Sequence, residues 1–229
     1  MIAQHRFVQD IARDVLKHLA AAICPEDTER SIAVKAEGAL RDQGILETWY
    51  YDCPALVLLG SRSCLSISGR NYRPAEEPVG ETNLVTVDLS PMYGDCWGDC
   101  ARSFYIEGGR VTPDPALEAF AKGKRFLETL HGNMRTFVRE DVTFHQLYEW
   151  TNEQITDEGF RNLDFLGNVG HSIATSRGDR EYIEKGNHNR LVDVPFFTFE
   201  PHVSASGETW GFKQENMFYF DSTARLSEL

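Results

Sequence analysis

The sequence predicts an α+β protein in which helices cover one face of a largely antiparallel sheet. Apolar residues recur at helical spacing in two pairs of segments, one near the start of the chain and one in its middle. β-branched and aromatic runs follow each pair, so the order reads helix, helix, strands, and then the same again. At 229 residues the chain is long enough for a single domain, 1–229, with a core of its own. The two similar halves suggest pseudo-symmetry, although no repeat is visible in the letters.

The first helix is expected from His5 to about Ala22, with Phe7, Val8, Ile11, Val15, Leu16 and Leu19 on one face. Gln9, Asp10, Arg13 and Asp14 then occupy the other. A second follows Pro25, where Glu26, Asp27 and Glu29 place negative charge in the first turn and Ile32, Ala33, Ala36 and Leu40 run to a stop near Gly44. Strands are expected at Ala55–Gly60 and Cys64–Gly69, followed by a polar loop through Pro74, Pro78 and Gly80. Leu84–Asp88 and Ala101–Ile106 read as the arms of a hairpin. Helices return over Pro115 to about Val138 and Thr143 to about Ile155, and strands over Pro195–Glu200 and Trp210–Phe220.

Lys and Arg number 23 against 35 Asp and Glu, a formal charge of −12. That balance argues against a nucleic-acid partner and against an anionic membrane surface. No apolar run approaches the ~20 residues of a membrane span, and the opening residues lack a signal-peptide core, so a cytoplasmic protein is expected. Five cysteines, with no paired metal-finger spacing, read as reduced and mostly buried thiols. Cys96 and Cys100, which flank Asp99, read as small core residues.

Five side chains carry the chemistry. The hairpin brings Asp88 and Asp99 together, and two carboxylates that close repel unless a cation or a proton lies between them. Glu200 ends an aromatic strand before a proline, and Glu215 is embedded among Phe212, Met217 and Phe218; a buried acid without a partner is costly. His171 stands in Gly170-His171-Ser172-Ile173. Carboxylate oxygens with one imidazole suit Mn, Fe, Co or Zn.

With Asp88 and Asp99 in VDLSPMYGDCWGD, His171 in GHSI, Glu200 in FTFEPHV and Glu215 in GFKQEN, the chain resembles the metallopeptidases that include methionine aminopeptidase, aminopeptidase P, prolidase and creatinase. Their shared architecture is the pita-bread fold. The order Asp, Asp, His, Glu, Glu is that family's metal-ligand order, and the likeness covers roughly the whole chain, as a catalytic domain without an N-terminal domain. It implies two divalent metal ions (Mn, Fe, Co or Zn): Asp88 chelating, Asp99 and Glu215 bridging, His171 and Glu200 holding the second ion. It implies hydrolysis of an amide bond in a small peptide or dipeptide, of Xaa-Pro or aminopeptidase type, by a metal-activated water. Glu200 would pass the proton from that water to the leaving nitrogen.

Two departures bear on activity. Members of this family usually carry a histidine in a His-Tyr-x-Pro loop, where this chain has Asn71-Tyr72-Arg73-Pro74, and a second histidine about seven residues beyond the GH motif, where it has none. His202 and His188 are the substitutes, and Asn71 can still hydrogen-bond a carbonyl. Asn71, Tyr72, Arg73, Arg177 and Arg180 are the expected substrate contacts, the arginines by bidentate grip of a carboxylate. Tyr93 and Trp97 are expected to shape the pocket. The alternatives are a non-peptidase C–N hydrolase acting on an amino-acid-derived metabolite and an inactive binding protein of the same fold; a homodimer is compatible with either.

Overall fold

The computed structural model describes residues 1–229. Helices α1 (Ile2–Ala22) and α2 (Glu29–Asp42) lie against the first part of the sheet. Ile11, Val15, Leu16, Leu19, Ile32 and Leu40 interleave there with Val57, Val85, Val87 and Phe104. The start of α2 differs from expectation. Thr28 is its N-cap in a reciprocal box with Ser31, so Glu26 and Asp27 precede the helix. Asp27 is buried, receiving Lys35 Nζ at 2.5 Å and the Cys24 N–H. Glu29, fully buried, accepts from the Leu59 and Ala75 N–H groups and pairs with Arg62. It ties the polar loop to the helix.

The strands of this half are β1 (Glu47–Thr48), β2 (Ala55–Leu59), β3 (Thr82–Leu89), β4 (Pro91–Tyr93), β5 (Cys96–Trp97), β6 (Cys100–Glu107) and β7 (Arg110–Thr112). Strands β2-β3-β6-β7 form one antiparallel sheet, and β1-β4-β5 a smaller one. In the β3–β6 pair Asp88 lies opposite Ala101 and Leu89 opposite Cys100, which is the expected hairpin. Its connection folds back on itself as β4–β5. The strand expected at Cys64–Gly69 is absent. Gly60 is left-handed (φ 57°) and opens a 3₁₀ turn over Gly60–Cys64, after which the chain makes no ladder until β3 begins at Thr82.

The second half repeats the layout with α3 (Glu118–Phe137), α4 (Phe144–Asp157), β8 (Phe160–Asn162), β9 (Phe197–Phe199), β10 (His202–Ala205), β11 (Phe212–Lys213), β12 (Asn216–Phe220) and β13 (Leu226–Glu228). Thr143 and Gln146 form the capping box that starts α4. Phe120, Leu127, Leu130, Phe144 and Leu147 from the helices pack on Phe197, Phe199, Phe212 and Phe218 from the strands. The strand expected over Trp210–Phe220 is broken: β11 joins β10 and β8, β12 joins β9 and β13, and Gln214 and Glu215 bridge them. The two halves meet there, through an Arg102–Gln214 bridge and a Ser103 hydroxyl bonded to both Lys213 backbone groups.

No helix is long and apolar enough to cross a membrane. All five thiols are free, but only Cys53 and Cys100 are buried; Cys24, Cys64 and Cys96 are half-exposed.

Candidate metal centre

The seam between the halves collects Asp88 from β3, Asp99 before β6, His171, Glu200 after β9 and Glu215 from the break between β11 and β12. Each backbone is pinned locally. Gln9 of α1 donates from Nε2 to the Asp99 carbonyl and accepts from the Asp99 N–H, both at 2.8 Å. Its side-chain amide thus pairs with that residue as a neighbouring strand would. Trp49 Nε1 donates to the Gly98 carbonyl at 3.0 Å, with its ring stacked on Trp97. Arg102 donates to the Glu215 carbonyl at 2.6 Å, and the Glu215 N–H to Ala101 at 3.0 Å.

His171 is held from both sides by Thr198, whose hydroxyl accepts the His171 N–H and whose own N–H donates to the His171 carbonyl. The residue before it is Gly170 at φ 150°, where a Cβ would lie 2.2 Å from the Thr198 carbonyl oxygen. Only glycine lets these backbones approach so closely.

The side chains converge. His171 Nε2 lies 3.4 Å from Asp99 Oδ2 and 3.8 Å from Glu200 Oε1. Donor atoms of Asp99, His171 and Glu215 all fall within 4.8 Å of one another. Because a carbonyl only accepts, the 2.9 Å contact between His171 Nδ1 and the Ser172 carbonyl puts the proton on Nδ1. The Nε2 lone pair therefore faces the carboxylates.

Electrostatics tests whether this set fits a divalent cation. Asp99 Oδ2 and both Glu215 carboxylate oxygens are buried without a hydrogen-bond partner, an arrangement costly to fold unless something positive completes it. Burial, with the neighbouring charges of Asp88 and Glu200, pushes the Asp99 carboxyl well above the usual carboxylate range. Burial and Asp99 do the same to Glu215. Burial holds His171 neutral, down to about 4. Unpartnered hard oxygens, a neutral imidazole and carboxyls starved of counter-charge fit a hard or borderline divalent ion.

Lys213, a residue the sequence does not single out, also enters the site. Its Nζ sits 2.6 Å from Asp88 Oδ2 and 3.1 Å from Glu200 Oε2. Against the opposing effect of burial, Asp88 and Glu200 hold the ammonium well above its ordinary value. Burial also raises Glu200, but the Lys213 ammonium overcomes it and leaves that carboxyl below its usual value. For Asp88 burial outweighs the lysine and the shift is upward. The available signal was the two-residue step from Lys213 to Glu215, which strand alternation sends toward one face.

A cavity of about 480 Å³ opens over the cluster. Asp88, Asp99, His171, Glu200, His202, Lys213 and Arg180 line it, with a wall of Trp49, Tyr50, Tyr51 and Tyr182 and a rim of Phe165 and Leu166. The Arg180 guanidinium lies over the Trp49 and Tyr182 rings at 5.1 and 5.2 Å. His202 is on the central strand of its sheet, not on an edge, and donates from Nε2 to the Ser63 carbonyl at 2.6 Å.

Other expected contacts lie elsewhere. Asn71 and Arg73 are exposed outside the cavity, and Tyr72 is buried with its hydroxyl bonded to Val57. Leu65–Ser68 supply the wall in this stretch instead, because the tether of Ala75 to Glu29 carries the Pro74 segment toward α2. Arg177 stacks on Tyr51 at 4.1 Å and donates to the Trp49 carbonyl, supporting the wall from behind. His188 is exposed and packs on His145. Tyr93 is exposed against Phe7, and Trp97 acts only by backing Trp49.

The sequence model of metallopeptidase family M24 matches residues 3–222. Among solved structures, the chain is similar to X-Pro aminopeptidase from Thermotoga maritima, with a TM-score of 0.79 at 20% identity over 99% of this chain and 60% of that one. Prolidase from Thermococcus sibiricus gives 0.80 at 18% identity over 99% and 57%. Methionine aminopeptidase from Rickettsia prowazekii gives 0.71 at 14% identity over 99% and 95%. This chain therefore spans about three-fifths of the length of the first two and nearly all of the third. These likenesses establish the pita-bread fold. No curated protein sequence matches the chain.

Proposed function

From the premise that the chain belongs to metallopeptidase family M24, we propose that it is a divalent-metal-dependent hydrolase cleaving an amide bond in a small peptide or dipeptide, of Xaa-Pro or aminopeptidase type. The observation that carries this reading is the set of buried, unpartnered oxygens on Asp99 and Glu215 beside the His171 lone pair. Asp88, Asp99, His171, Glu200 and Glu215 would hold the metal, up to two ions of Mn, Fe, Co or Zn, with manganese the first to try. When bound, the metal supplies a Lewis acid that polarises the scissile carbonyl and lowers the pKa of a water.

The chain's own groups then do the following. Glu200, kept ionised by the Lys213 ammonium, takes a proton from the attacking water and returns it to the leaving nitrogen. Lys213 fixes that carboxylate through Oε2, leaving Oε1 turned toward His171. His202, held neutral by burial and donating from Nε2 to Ser63, keeps an unprotonated Nδ1 and lines the same cavity. Of the three arginines expected to grip a substrate carboxylate, Arg180 alone lines the cavity, and its aromatic seat presents the guanidinium edge for bidentate contact. Asn71, Tyr72, Arg73 and Arg177 would act only if the 65–74 segment or the rim rearranged.

A cavity of this size with one seated guanidinium favours short substrates bearing a free carboxylate. The exposed position of Asn71 keeps a second reading in play, a C–N hydrolase of an amino-acid-derived metabolite. We place the enzyme in the cytoplasm, which the five free thiols support, and expect a homodimer, the commonest closed assembly. The test is a turnover screen of manganese-loaded protein against dipeptides, Xaa-Pro peptides, N-terminal methionine peptides and amidino compounds, with Asp99→Asn as control. Metal-free protein that takes up no Mn or Co would overturn the reading.

A further inference from the structure

We infer that Lys213 acts as a built-in cation: its ammonium occupies one side of the carboxylate cage, so the chain binds one divalent ion tightly and admits a second only by displacing the lysine. This rests on the metal-dependent reading above and concerns how the same site fills.

Two observations carry it. First, the carboxylates divide into a pair bonded to Lys213 and a pair with free oxygens. Asp88 Oδ2 and Glu200 Oε2 are already bonded to Lys213 Nζ, at 2.6 and 3.1 Å. Asp99 Oδ2 and the two Glu215 oxygens have no partner, and with His171 Nε2 they lie within one 4.8 Å cluster. Ligand atoms on opposite sides of an ion are about 4.2 Å apart at metal–ligand distances of about 2.1 Å, so a small contraction closes that cluster around a single ion. Asp88 lies outside it.

Second, the charges close on one ion. A carboxyl must give up its proton to hold a metal, and with all four ionised against one ammonium the site carries three negative charges. One divalent ion reduces these to one, whereas a second beside a retained ammonium makes the buried site net positive. Removing the lysine charge reverses the preference, since two ions then neutralise the four carboxylates. Lys213 has little freedom to leave. Its backbone is tied at both groups to the Ser103 hydroxyl and its side chain is largely buried.

The experiment titrates metal-free protein with manganese(II) by calorimetry and counts bound manganese after gel filtration, for wild type, Lys213→Met and Lys213→Arg. Wild type and Lys213→Arg should bind one tight equivalent, with any second at least tenfold weaker. Lys213→Met should bind two, its second tightened by at least tenfold. Two equal equivalents in wild type, or only one in a folded Lys213→Met, would overturn the inference while leaving metal dependence intact; no manganese in any variant would overturn both. Should Lys213→Met fail to fold, anomalous scattering from manganese-soaked wild-type crystals decides: one strong peak among Asp99, His171 and Glu215 supports the inference, and two equal peaks refute it.

Discussion

Replacing Gln9 should loosen Asp99 from a distance. The Gln9 amide is buried in α1 and makes two 2.8 Å hydrogen bonds to the backbone of Asp99. Gln9→Leu removes both while filling much the same volume, so the Asp99 N–H and C=O are left buried and unpaired. At about 1–2 kcal/mol for each orphaned group, the cost is about 2–4 kcal/mol. For a chain of this length a kilocalorie shifts the melting temperature by about 2–4 °C, which gives a fall of roughly 4–16 °C. Gln9→Glu, nearly isosteric, keeps an acceptor for the N–H but sets a carboxylate against the carbonyl, and should cost at least as much. Asp10→Ala, one residue away and exposed, should stay within about 0.5 kcal/mol. Calorimetric melting and urea titration check the stability, and manganese titration checks that the loosened Asp99 weakens metal binding. A Gln9→Leu protein with wild-type melting and metal affinity would refute the argument that α1 positions the site.

Other outcomes are expected from the same geometry. Gly170→Ala would set a Cβ 2.2 Å from the Thr198 carbonyl oxygen, backbone that cannot yield, so the variant should be insoluble or should lose metal binding, as expression yield and metal analysis would show. His131, buried with Nδ1 unpartnered, is pushed down to about 3 by burial. The unfolded chain therefore takes up a proton there that the folded chain does not, and each pH unit below about 6.5 and above the folded value costs about 1.4 kcal/mol. Urea midpoints measured from pH 7 to 4 should fall, less steeply in His131→Phe. Manganese at 100 times its dissociation constant should stabilise the metal-free protein by about 2.7 kcal/mol, and a chelator should reverse the shift in melting temperature.

Much of the fold could be read from residue order alone because it rests on local physics. The apolar spacing of Ile11, Val15, Leu16 and Leu19 and the β-branched run into Asp88 each act within a few neighbours. Errors arose where a distant group overrode the local pattern. As a polar residue Gln9 reads as part of the wet face, although positions 9, 12 and 16 share one side of the helix; its partner, Asp99, is ninety residues away. The 64–69 segment has strand-like letters, but the left-handed Gly60 turns it out of the sheet. Trp210–Phe220 reads as a single strand, yet it serves two sheets and breaks at Glu215.

The candidate site divides in the same way. Sequence by itself singled out the candidate donors Asp88, Asp99, His171, Glu200 and Glu215, the carboxylates by their places at strand ends and within apolar runs and the set as a whole by its resemblance to the metallopeptidases. Only the tertiary structure decided which of their oxygens are left unpartnered, that Lys213 lies between Asp88 and Glu200, and that Arg180, not Asn71 or Arg73, faces the cavity. Those facts depend on distances between segments far apart in the chain, as Asp88 and Lys213 are at 125 residues, and such distances follow from how the two halves close against each other, which no local pattern encodes.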